Sequence, residues 1–194
     1  MNTPTYGSEM VAGGGRRRSL WKVPALITAL ILLIPLLGNQ FVDGWNWPLR
    51  GFVLGGVLLF GTGLTYELVT RNVDTIAYRA AVGIALVAAF LLVWGNFVQR
   101  ADGVNPAAAI YLCVPFVGII GAAIARFRPA GMARALFATA LAQAVVLAIA
   151  LMIRNPQVTP WTAAVVRGFG GNAFFGMLFV GSALLFRTAA RGSN

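Results

Sequence analysis

Glu67 is the only carboxylate set inside an apolar run of this 194-residue chain. Arg71 follows it at i+4, the favourable order for an ion pair on one helical face. Arg79 stands one turn into the next apolar run and is a second candidate partner. An ionisable group at membrane depth is by default a candidate proton or cation site. Glu67 is shallow, about 5 Å from the end of its run at the rise of a helix. The trio therefore also reads as a structural clamp that closes a hairpin, and the sequence favours the clamp.

Gln143 and Asn172 are the next pair of interest. They fall at similar depth on consecutive apolar runs, about 12–15 Å from one surface, which predicts a hydrogen bond between them, with Thr139 one turn from Gln143. Gly168 and Gly176 flank Asn172 at four-residue spacing, a small-residue face that lets another helix come close. A packing seam is favoured over the polar lining of a cavity. Arg126, Arg128 and Arg134 cluster around Gly131 and are candidate contacts for an anionic lipid headgroup. A plain topology signal accounts for them more simply.

The residue inventory removes much chemistry. The chain has no His, which excludes His-ligated haem, His-based zinc sites and His general bases together. The only Lys is Lys22, at the start of the first apolar run, where a mid-membrane retinal Schiff base is implausible. Cys113 is the single cysteine, so no intrachain disulfide forms. No metal-ligand spacing, nucleophile–base pair or phosphate loop is present. Gly61-Thr62-Gly63 and Gly168-Phe169-Gly170-Gly171 lie in or beside apolar runs, where packing explains them. No enzymatic activity and no cofactor are expected.

These side chains must be held by elements built for lipid. The chain is 59% hydrophobic and 10% charged, against about 25% charged in soluble domains. Six runs of about 20 residues, each enough to cross a hydrocarbon layer of roughly 30 Å, lie at about 21–37, 50–70, 76–98, 106–125, 131–153 and 164–186. They leave a basic N-terminal tail over 1–19, expected to be disordered, a transmembrane domain over 20–187 and a short tail over 188–194. The predicted fold is all-α: an integral membrane bundle of six transmembrane helices in three antiparallel hairpins.

The net charge of +10 would point to nucleic acid in a soluble chain. Here the cations follow topology, and no nucleic-acid partner is expected. Eleven of the fifteen Lys and Arg residues fall on the side of the two termini: Arg16, Arg17, Arg18, Lys22, Arg71, Arg79, Arg126, Arg128, Arg134, Arg187 and Arg191. Arg50, Arg100, Arg154 and Arg167 fall on the other. The bias predicts cytoplasmic N and C termini. Arg17-Arg18 before an apolar run resembles a twin-Arg export signal, but an arginine anchor fits better, since more spans follow and no convincing cleavage site does. Asn39, Asn96 and Asn155 each close an odd run, and Pro48, Pro106 and Pro160 each precede an even one. Three repeated hairpins would give this pattern; ordinary helix ends and starts give it equally well.

The segments GTGLTYEL, YRAAVGIALVAAFLLVWGN, GIIGAAIARF and GMARALFATALAQ, over roughly residues 50–150, resemble a family of small multipass bacterial membrane proteins of uncharacterised function. The resemblance implies a bacterial inner membrane and a helical fold, and no mechanism. Three functions then compete, the least favoured being a membrane enzyme for which only Glu67 and Asp74 could supply the acids. One is a non-enzymatic scaffold or accessory subunit whose partners are the lipid bilayer and either a second copy of itself or another membrane subunit. The alternative is a small channel or transporter with Glu67, Arg79, Asn96, Gln143 and Asn172 along its path.

Overall fold

The computed structural model describes residues 21–101, 110–153 and 163–192. The expectations placed on the tail at 1–19, on Pro106, Arg154, Asn155 and Pro160 lie outside them. Every regular element among the described residues is helical: α1 (Lys22–Phe41), α2 (Leu49–Thr70), α3 (Ile76–Ala101), α4 (Cys113–Ile124), α5 (Pro129–Ile153) and α6 (Ala163–Arg191). All but α4 are long and apolar enough to cross a membrane. The five support a membrane protein, because lipid leaves the backbone only its own helix in which to satisfy its amides.

The fourth run differs from expectation. Ile110 and Tyr111 are helical, a turn at Leu112 follows, and α4 proper covers only 12 residues. Pro115 has a physical part in this, since it has no N–H to offer the Tyr111 carbonyl four residues back. The last helix runs on to Arg191, past the expected end at 186.

Among the described residues, α1 packs against α2 and α5 against α6. The main partners of α3 are α6 and α2, and α4 packs chiefly on α5. The α3–α6 seam closes because its meeting residues are small or interlocking. Ala81 and Ala183 are fully buried, Ser182 Oγ donates to the Ala81 carbonyl at 2.6 Å, and Tyr78 meets Phe186 edge-on at 5.0 Å.

The α4–α5 turn is tight. Arg126 and Phe127 both take positive φ, 49° and 58°, a region costly for residues with a Cβ. The Phe127 N–H bonds back to Ala122 O at 3.4 Å, and the Tyr78 hydroxyl donates to Phe127 O at 2.8 Å. The strained turn is thus latched from α3. Glycines allow the close approach: a Cβ on Gly121 would sit 2.7 Å from that of Ala135, and one on Gly131 would sit 2.7 Å from that of Ala125.

At the opposite end of α2 and α3, Trp47 packs on Phe52 and edge-on to Trp94, which stacks on Phe90. Asn39 closes the α1–α2 connection: its amide accepts from Trp47 N at 2.8 Å and donates to Trp47 O at 3.0 Å. Asn96 does nothing comparable, turning its amide back to Leu92 O within α3.

Candidate functional site

Three polar side chains of the bundle meet where α5 and α6 face Tyr111, just before α4. Gln143 lies on α5, 14 residues from its start and so about 21 Å along it. It is 2% exposed. Its Nε2 donates to Asn172 Oδ1 on α6 at 2.7 Å, and Asn172 Nδ2 reaches the Tyr111 hydroxyl at 3.4 Å. The cross-helix contact expected from depth is present. Tyr111 joins it, and nothing in the spacing of the sequence announced that. One atom is left over: Gln143 Oε1 is buried without a hydrogen-bond partner, a state that costs about 1–3 kcal/mol.

Local structure explains how the node is assembled. One turn below Gln143, Thr139 is 1% exposed and donates to Ala135 O of its own helix at 2.9 Å. A Cβ on Gly118 would lie 3.3 Å from Thr139 Oγ1, so glycine there lets α4 close over α5. The break at Leu112 brings the Tyr111 ring to the end of that seam. All three node side chains are neutral. They can orient one another or hold a small neutral hydrogen-bonding molecule, and they supply no acid, base or nucleophile of useful strength.

Glu67, Arg71 and Arg79 are not drawn into this node. Glu67 is half-buried in the last turn of α2, Arg71 is exposed at its C-cap, and Arg79 is exposed on the first turns of α3. The expected ion pair is open, with no N–O approach of 4.0 Å or less from either arginine to Glu67. A pair at an exposed helix end gains under about 1 kcal/mol, too little to hold two long side chains in one geometry. Arg71 still lies where the helix dipole favours a cation.

Arg79 instead borders an open apolar groove of about 440 Å³ walled by Tyr66 and Leu178. Arg126, Arg128 and Arg134 are all exposed around the strained α4–α5 turn. Cys113 is exposed at the start of α4. No group of three or more metal-ligating side chains occurs among the described residues.

Three hydroxyls do structural work that the sequence reading missed: Tyr78, Tyr111 and Ser182. The only signal available was a lone polar group in an apolar run, which has no period to betray it. No protein-family model, no curated protein and no solved structure matches the chain.

Proposed function

We propose that the chain is an integral protein of a bacterial inner membrane, with both termini in the cytoplasm, that works by helix packing. Its role is that of a non-enzymatic scaffold or accessory subunit, beside another membrane protein or a second copy of itself. The fate of the polar side chains carries this reading. Tyr78, Ser182 and Gln143 each use a donor to tie one element of the bundle to another. They are spent on adhesion between helices. The five long apolar helices support the membrane and the arginine bias the orientation.

The helix left for a partner is α1. Pro24, Thr28 and Pro35 are its only buried residues, while Ile27, Leu30, Ile31 and Ile34 are exposed. Mild solubilisation of the full chain followed by affinity capture tests the reading. It predicts a stoichiometric second protein or a discrete self-assembly, photocrosslinked from position 30 or 34. A particle that stays monomeric and partnerless in the mildest detergents contradicts it.

The channel or transporter reading keeps one specific observation in its favour, the unpartnered Gln143 Oε1 at mid-depth. It requires solute flux in proteoliposomes of the purified chain that Gln143→Leu abolishes. Glu67, Arg79 and Asn96 would not share that path, since Asn96 is turned onto its own helix and Arg79 lines a lipid-facing groove.

A further inference from the structure

We propose that the groove between α2, α3 and α6 is a binding site for one anionic phospholipid, its phosphate on Arg79 and one acyl chain laid along α3. The proposal needs only that the bundle sit in a bilayer and goes beyond the packing role. The groove has about 440 Å³ of open space, and its lining is almost wholly apolar, with Arg79 the one charged residue along it. Its floor is a stripe of α3 residues, Gly83, Ile84 and Val87, between walls made by Tyr66 of α2 and Leu178 of α6. Arg79, Gly83 and Val87 follow one another at i, i+4 and i+8, so they share one helical face.

Gly83 makes the trough. A Cβ there would meet Tyr66 Cε2 at 3.7 Å, so even a methyl group would begin to fill the space. The eight residue steps from Arg79 to Val87 cover about 12 Å of helix axis. That is most of one leaflet of a hydrocarbon core about 30 Å thick.

Charge selects the occupant. Arg79 stands three residues into α3, about 5 Å from its start, the depth of headgroups rather than of lipid tails. Arg79 is exposed and has no hydrogen-bond or ion-pair partner among the described residues, Glu67 included. A planar cation with several donors beside an apolar trough matches a phosphodiester followed by its chain. A zwitterionic lipid would fill the trough but would set its own ammonium near the guanidinium.

Native mass spectrometry on the full chain, purified in mild detergent and titrated with dioleoylphosphatidylglycerol or dioleoylphosphatidylcholine, tests this. The wild type is expected to hold one phosphatidylglycerol in preference to phosphatidylcholine. Arg79→Gln, a change at an exposed position, should lower that preference roughly fivefold, the worth of one basic residue near a membrane surface. Gly83→Leu should reduce retention of both lipids by filling the trough. Val87→Phe, also at an exposed position, obstructs the far end and serves if the glycine variant fails to fold. Arg50→Gln, at an exposed position at the opposite end of α2, should change nothing, and inorganic phosphate should not displace the lipid. Equal phosphatidylglycerol retention by wild type, Arg79→Gln and Val87→Phe overturns the site, as does an equal loss on Arg50→Gln.

Discussion

The α1–α2 hairpin and the α3–α6 bundle are built from equally apolar helices, yet they hold together differently. In the hairpin, hydroxyls turn inward on their own helix. Thr62, Thr65 and Thr70 each donate to the carbonyl four residues back, at Leu58, Gly61 and Tyr66. In the bundle Thr139 and Asn96 do the same, but other donors cross between elements, from Tyr78 to Phe127, from Ser182 to Ala81 and from Gln143 to Asn172. The difference shows in burial: 11% of the apolar stretch of α1 is buried, against 39% for α5.

Lipid tails are as apolar as leucine, so hydrophobicity alone does not bring two membrane helices together. Small residues and cross-helix hydrogen bonds do, and the hydrogen bonds between helices are concentrated in one half of the molecule. The hairpin relies on the Asn39–Trp47 clamp and the Trp47–Trp94 aromatic contact at one end. Its outer face is left for lipid or for another chain.

Substitutions that attack the bundle should therefore cost more than matched ones in the hairpin. The largest effect is expected at Gly121, where a Cβ would lie 3.2 Å from the backbone of Ala135. Gly121→Val must part α4 from α5 and should destabilise by about 3 kcal/mol, read as the loss of unfolding free energy on titrating mild-detergent micelles with dodecyl sulfate. Tyr78→Phe comes next. It removes the donor that latches the Phe127 carbonyl in a positive-φ turn, with an expected cost of about 1–2 kcal/mol in the same titration.

Gln143→Leu and Asn172→Leu probe the node by a double-mutant cycle. Their coupling should be about 0.6–1.7 kcal/mol; additivity would mean that the 2.7 Å contact contributes nothing. The smallest effect belongs to the hairpin. Ile34→Ala, at a position 68% exposed, should shift stability by less than about 0.5 kcal/mol. A loss as large as that at Gly121 would erase the distinction between the two halves.

How much of this was readable from the chain follows the same divide. The long helices were, because length and apolarity state them directly: the expected 50–70 and 76–98 became Leu49–Thr70 and Ile76–Ala101. Gln143 and Asn172 were found because depth along two runs is simple arithmetic, and depth is what decides whether they meet. The α3–α6 seam was not, since Ala81 and Ser182 lie 101 residues apart and small residues also line the faces that stay uncovered. The turn at Leu112, which starts α4 at Cys113, was missed because Pro115 lay in an apolar run long enough to cross. Glu67 and Arg71 were overvalued, as i+4 spacing permits a pair that the energetics of an exposed helix end do not enforce.

Cysteine accessibility at the node tests the central claim, that mid-membrane polar groups here join helices rather than wet a path. Asn172→Cys would be placed in a Cys113→Ser background, since Cys113 is itself exposed, and the folded protein in vesicles treated with a membrane-impermeant, water-soluble thiol reagent from each side. The account predicts no modification until the protein is unfolded. Rapid labelling of the folded protein would show water at the Gln143–Asn172 contact and contradict it.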